Sequence, residues 1–139
     1  MNILSPIEIA YIAGIIDGEG TITLTTHKKG CYPSPTITVA SSDYELISWL
    51  KKTINAGQII KKKNYNPDKH KDSWSYVLKY NNVLTLLEYI EPYLVIVNKK
   101  KRAELILNEY KKLTPRNGRY SEETLNQKGL FYKKFMELN

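Results

Sequence analysis

The sequence predicts an α+β fold in the order helix, two strands, helix, two strands, helix, with more helix at the C-terminal end. Three observations carry that prediction. At Gly20 the apolar spacing changes from about 3.6 to 2, as a helical run gives way to Thr21-Ile22-Thr23-Leu24-Thr25. A second alternating segment returns through Thr36 to Ala40, and a further pair of such segments follows after a helical stretch. Each helical stretch between them carries its own start and stop residues. The chain has 139 residues and is 42% hydrophobic, enough for one core and short for two. We expect a single domain over residues 1–139, with its core at about 5–113 and a helical extension at about 119–138.

Ser5 and Pro6 open the first helix, as cap and first helical residue. In the first strand Ile22 and Leu24 point inward. Lys28 to Pro35, with Gly30 and two prolines, forms the connecting loop, and Ile37 and Val39 point inward on the return strand. Ser42-Asp43-Tyr44-Glu45 reads as a capping box for a helix through about Ile54, with an apolar stripe of Leu46, Ile47, Leu50 and Ile54. Asn55-Ala56-Gly57 ends it. The third strand is expected from Gln58 to about Asn64 and the fourth from Ser73 to Tyr80, joined by the polar loop 66–72. Asn81 or Asn82 caps a helix carrying Val83, Leu84, Leu87 and Ile90 and closed by Pro92. Another runs from near Asn98 to Leu113, stopped by Thr114-Pro115. Ser121 starts a last one with Leu125, Leu130, Phe131 and Phe135.

Composition narrows the function classes. Net charge is +7 and the pI about 9.4, which favours an anionic partner. Lysines cluster at 28–29, 61–63, 69–71, 99–102 (with Arg102) and 111–112. Such runs are also what an ordinary solvated surface looks like. The longest apolar candidate, Ile3 to Ile16, is interrupted by Ser5, Pro6 and Glu8, so nothing reaches the ~18 residues of a membrane span. It has no basic leader or cleavage site of a signal peptide. One cysteine, Cys31, excludes an internal disulfide and a cysteine zinc site, and His27 and His70 are too few for a histidine-based one.

The most informative segment is Tyr11-Ile12-Ala13-Gly14-Ile15-Ile16-Asp17-Gly18-Glu19-Gly20. An apolar helix with little bulk, through Ala10, Ala13 and Gly14, runs into two carboxylates separated by one glycine. Small residues let two helix backbones approach closely, and Gly18 and Gly20 keep the helix end free of side chains. A generic Asp-Gly turn between helix and strand would also contain such residues. A phosphate cradle is excluded, because no helix start and no Lys-Ser/Thr follow the glycines. An EF-hand is excluded because Thr21 to Leu24 supplies no further carboxylates.

Ile12 to Gly20 resembles, position by position, the signature of the LAGLIDADG homing endonucleases. The resemblance extends through the αββαββα order over roughly residues 5–113 and implies a curved antiparallel sheet acting as a DNA-binding saddle. It implies a homodimer, since one motif is present, with Ala10, Ala13, Gly14 and Asp17 at the interface and Asp17 hydrogen-bonded to the neighbouring helix. It also implies that Glu19 is the catalytic acid and metal ligand, and that the Gly18 carbonyl is a second ligand. The cofactor is then Mg²⁺, a hard cation suited to carboxylate and carbonyl oxygens, with no other small-molecule cofactor and no membrane partner. A catalytic lysine is implied between the third and fourth helices. Counting back from Ala103 gives Lys99, whereas counting forward from Pro92 gives Val97. The helix anchor is preferred because loops accept insertions more readily than packed helices. The competing reading is that Lys99 to Arg102 merely decorates a helix N-terminus, which a cation would not choose electrostatically.

The outward strand face is the expected DNA-binding surface: Thr21, Thr23, Thr25, His27, Thr36, Thr38, Gln58, Ile60, Lys62, Asn64, Ser75, Val77 and Lys79. Thr, Gln, Asn and Lys can bond base edges in the major groove, and Ile60 and Val77 can touch thymine methyls. A solvated sheet face would show the same polar pattern. Eight strand residues span about 26 Å at ~3.3 Å each. Against ~34 Å per DNA turn, two protomers would read about twenty base pairs of double-stranded DNA. The expected activity is therefore site-specific double-strand cleavage of a pseudo-palindromic target across its central minor groove. Two alternatives stand beside it: a non-cleaving protein of the same fold, such as an intron maturase or transcriptional regulator, and an unrelated basic α+β module.

Overall fold

The computed structural model describes residues 1–26, 32–113 and 121–138. Its first helix, α1 (Pro6–Glu19), opens with a full capping box. Ser5 Oγ accepts from the Glu8 amide at 3.2 Å, and Glu8 Oε1 accepts from the Ser5 amide at 2.8 Å. The chain passes directly from α1 into β1 (Gly20–Thr25). The join is tight: a Cβ at residue 20 would lie 2.7 Å from Ile16 Cα, so only glycine fits there.

β1 pairs antiparallel with β2 (Ser34–Ser41), β2 with β4 (Trp74–Lys79), and β4 with β3 (Gln58–Lys61). The strand order is thus β1-β2-β4-β3, with β1 and β3 at opposite edges. Ile22, Ile37 and Leu78 stand side by side on the inner face and are fully buried. On the outer face Thr21, Thr38, Val77 and Gln58 form a row across all four strands. Two hydrophobic layers, helices and inner sheet face, therefore share one core, and the polar sheet face is left uncovered by it.

α2 (Tyr44–Ile54) buries Ile47, Leu50 and Ile54. Its expected Ser42–Glu45 capping box does not form. β2 runs on through Ser41, whose hydroxyl accepts from the Asp43 amide at 3.0 Å, so the helix opens one residue late with Asp43 at its cap. Asn55, left-handed at φ 57°, and Gly57, at φ 92°, end α2 as expected. The buried Tyr76 hydroxyl then donates to the Ala56 carbonyl at 2.7 Å, and burial pushes its phenol pKa up. β3 stops at Lys61, short of the expected Asn64, because the chain there turns into a hydrogen-bonded loop.

α3 (Asn81–Ile90) has Tyr80 at its cap, at φ 59°, and no asparagine side-chain cap. It buries Val83, Leu86, Leu87 and Ile90, with Leu84 only partly covered. α4 (Val97–Leu105) continues as a π-helical segment, Ile106–Tyr110, and a 3₁₀ turn, Lys111–Leu113. α5 (Glu122–Met136) is capped by Ser121, whose Oγ accepts from the Thr124 amide at 3.1 Å. Phe131 and Phe135 of α5 join the core, whereas Leu130 stays exposed. Among the described residues, no helix is long and apolar enough to cross a membrane.

Candidate active site and nucleic-acid interface

Gly18 and Glu19 are exposed where α1 becomes β1. Asp17, two residues before Glu19, faces a different way and does a different job. Its Oδ2 accepts from the Val95 amide at 2.9 Å and its Oδ1 from the Ile96 amide at 3.1 Å. Both carboxylate oxygens thus hold backbone amides just ahead of α4 within the same chain, so the hydrogen bond expected from Asp17 to a neighbouring helix goes to the approach to α4. An anionic side chain at a helix N-terminus satisfies amides that have no intrahelical partner.

Lys99 lies on the first turn of α4 and reaches back to α1. Its Nζ donates to the Ile16 carbonyl at 2.8 Å and to the Asp17 carbonyl at 2.7 Å. α1 has no basic residue in its own last turn, so Lys99 supplies the cation that a helix C-terminus favours. The lysine that looked misplaced on its own helix is well placed on the other one. Val97, the alternative count, is an exposed aliphatic residue. Arg102 adds a second tie, donating from Nη1 to the Ile22 carbonyl at 3.0 Å and from Nε to the Leu138 carbonyl at 2.7 Å. The sequence offered no sign of that role, because its acceptors are backbone atoms far along the chain.

The helix face expected to form a dimer interface is partly corrected. Ala10 and Gly14 are exposed, but Ala13 is 1% exposed and belongs to the protomer's own core. Helical spacing explains the split: Ile12, Ala13 and Ile16 face inward, while Ile7, Ala10, Tyr11, Gly14 and Gly18 lie on the other side. Ile7 is 82% exposed and Tyr11, packed edge-on against Trp49 at 4.9 Å, is also exposed. α1 is therefore apolar on both faces, and only one is covered. A Cβ added at Gly14 or Gly18 would meet nothing within 4 Å, so neither glycine is required by the protomer's own packing.

On the outer sheet face Thr21, Thr25, Gln58, Ile60 and Lys62 are exposed, and Thr23, Thr38, Ser75, Val77 and Lys79 are half-buried. Thr36 is on the same face but only 3% exposed, and its hydroxyl is bonded to that of Thr25. It is not available to a base edge in this arrangement. Lys62 lies just past the end of β3, its amide donating to the Ser73 carbonyl at 2.9 Å. Asn64 is further out, and its side chain is used by the loop that follows. His27 lies outside the described residues.

Among the described residues, no three Asp, Glu, His or Cys side chains meet as a metal cage. Glu19 is an exposed carboxylate and follows the exposed Gly18 in sequence, so a carboxylate and a backbone carbonyl are the hard-oxygen donors at this helix end. That pair suits Mg²⁺, which keeps several waters and is held by one or two carboxylates together with substrate phosphates.

Comparison with known proteins agrees with this arrangement. The sequence model described as LAGLIDADG endonuclease matches residues 12–121. The chain belongs to the LAGLIDADG endonuclease family, a family of site-specific DNA endonucleases. Its fold is similar to that of the homing endonuclease I-CvuI, solved in complex with its target: TM-score 0.75, 20% identity, 96% of this chain and 83% of that one. It is also similar to the homing endonuclease I-TnaI, with TM-score 0.68 and 16% identity over 97% of this chain and 93% of that one. The meganuclease I-AabMI, solved bound to uncleaved DNA, matches 93% of this chain but only 44% of its own length, with TM-score 0.67 and 20% identity.

Proposed function

We propose that this chain works as a homodimer that cuts both strands of a long pseudo-palindromic duplex, with Mg²⁺ as the divalent cation. The observation that carries the reading is Glu19, an exposed carboxylate at the α1–β1 junction, with Lys99 anchored to the same helix end. In this reading Glu19 and the Gly18 carbonyl hold the cation against a phosphate. When bound, such a cation polarises the phosphoryl group and lowers the pKa of a coordinated water. Lys99 has three N–H groups, two of which donate to the Ile16 and Asp17 carbonyls. The third is left to neutralise charge on the reacting phosphate.

The uncovered face of α1 supports the dimer. Ala10, Gly14 and Gly18 carry no bulk, so a second copy of α1 can approach closely and bring a second Glu19 to the symmetry axis. The outer sheet faces of the two copies then contact the flanking half-sites, about twenty base pairs in all. I-CvuI and I-AabMI, similar in fold, were each solved with DNA, which supports a duplex as the ligand. The reading treats residues 1–139 as one endonuclease domain, with α5 seated on it through Phe131 and Phe135.

Cleavage selection from a randomised duplex library in Mg²⁺ tests the proposal. Recovered cut sites should share one pseudo-palindromic sequence broken on both strands. Tight, sequence-specific binding without any cut would favour the non-cleaving maturase or regulator. Binding without sequence preference would favour an unrelated basic module.

A further inference from the structure

α4 grips the chain on both sides of Glu19. Before it, Lys99 Nζ donates to the Ile16 and Asp17 carbonyls at 2.8 and 2.7 Å. Beyond it, Arg102 Nη1 donates at 3.0 Å to the carbonyl of Ile22 in β1. Residues three apart on a helix are neighbours on one face, so a single face of α4 carries both ties. β1 is an edge of the sheet, and α4 packs against it. The stretch held between the ties, residues 18–21, is the α1–β1 junction, with Glu19 exposed on it. Glycines flank Glu19 on both sides, and glycine backbone is the least restrained, so the ties beyond them decide where the carboxylate sits.

Arg102 is itself held from behind. Its Nε donates to the Leu138 carbonyl at 2.7 Å, and its guanidinium carbon lies 5.1 Å from the centre of the fully buried Phe135 ring. Phe135 is in the last turn of α5, and Leu138 follows just after it. A guanidinium is planar with its donors in fixed directions, so holding Nε and one ring face also aims Nη1. The end of α5 thus sets how Arg102 meets β1. Such a residue could simply join α5 to the sheet, but its place opposite Lys99 across the junction gives it a second consequence.

We propose that Arg102 is a positioning residue for Glu19, and that α5 supports the cutting end through it. Lys99 and Arg102 hold the chain before and after Glu19, so the carboxylate is presented at one fixed place. The proposal rests on the reading of Glu19 as the metal-holding acid. Precision of this kind matters to rate, since a misplacement of about 1 Å can cost a hundredfold.

The test compares Arg102→Met and Arg102→Lys with the wild type on a duplex recovered from the randomised library, well below each melting temperature. Methionine keeps a long side chain against Phe135 without donors, and lysine keeps a cation able to donate to Ile22. Arg102→Met should slow cutting at saturating DNA about tenfold to a hundredfold and raise the Mg²⁺ concentration for half-maximal cutting. Target affinity without divalent cation should stay as in the wild type, and Arg102→Lys should recover most of the loss. In the free, metal-free protein, amide exchange along β1 should quicken about tenfold in Arg102→Met and hold steady in β4. Phe135→Leu should loosen β1 in the same way, less strongly. Unchanged cutting or unchanged β1 exchange in Arg102→Met overturns the positioning role. A joint loss of cutting, target affinity and β4 protection overturns it too, because that is a plain structural staple. Unchanged β1 exchange in Phe135→Leu overturns the share given to α5. A Glu19→Gln chain that cuts like the wild type overturns the reading of Glu19, whatever Arg102 does, and the proposal with it.

Discussion

Asp17 and Lys99 make a reciprocal contact between the end of α1 and the start of α4. The Asp17 carboxylate holds the Val95 and Ile96 amides, while Lys99 Nζ returns to the Asp17 carbonyl at 2.7 Å. Each side chain meets the opposite partial charge of the other's helix, anion at an N-terminus and cation at a C-terminus. The contact fixes the junction that carries Glu19 relative to α4.

Because the two residues serve one joint, their removal should not be additive. Asp17→Ala leaves two amides without their acceptor and should cost about 1–3 kcal/mol in urea unfolding. Lys99→Met should cost less, and the double variant should lose less than the two single losses combined. Full additivity would show that the two ties act independently.

Glu19 takes no part in that joint. Glu19→Gln should leave stability within about 0.5 kcal/mol, as expected for a surface substitution. Cleavage should fall by orders of magnitude while specific DNA binding persists, measured by gel shift beside a cutting assay. Substantial residual cutting would assign the metal to another acid.

Gly14→Leu separates protomer from dimer. A side chain there meets open space in the protomer, so the fold should form as before. Sedimentation should show the wild type as a dimer and the variant at the 16.1 kDa of a single chain, with cleavage lost. A wild type that sediments as one chain at micromolar concentration contradicts the dimer.

Lys79 lies beside Thr36 on the outer sheet face, whereas Lys112 is exposed on the 3₁₀ turn after the π-helical segment. If Lys79 meets phosphate, Lys79→Ala should reduce the salt slope of binding by about one per protomer. Lys112→Ala should change it little. Equal effects would reduce the sheet face to diffuse positive charge.

The β3–β4 loop should open in acid. The Asn64 hydrogen bond, and after it the Lys61 ammonium, hold the Asp72 carboxyl below its ordinary value of 3.8. A depressed folded pKa means that the stabilisation is complete above the unfolded value and fades as pH falls through the folded one. Amide exchange at Asn66 and His70 should therefore stay protected from neutral pH down to about 4 and rise below it. Asp72→Asn should abolish that dependence, and loss of protection already near neutrality would point to a different group.

Much of the molecule is readable from local chemistry. The Ser5–Glu8 box, the change of period at Gly20 and the alternation through β1, β2 and β4 each depend on neighbours a few residues away. These signals survive in a linear chain, and they located the helix, the exposed Glu19 and the polar sheet face. The DNA-endonuclease class was likewise legible from Ile12 to Gly20. Where local signals compete they fail: Ser42 looked like a cap until β2 ran one residue further.

The sequence alone determined the order of elements, which side of each strand faces the core, and the acid at the end of the motif. Tertiary structure alone decided the partners. Asp17 finds its amides 78 and 79 residues away, Ala13 turns into its own core, Thr36 is buried on a polar face, and Asn64 closes a loop instead of extending a strand. The reason is physical. Periodicity and capping are set by the backbone within one or two turns, whereas a hydrogen bond between distant segments exists only once the packing of helices on the sheet has set their distance.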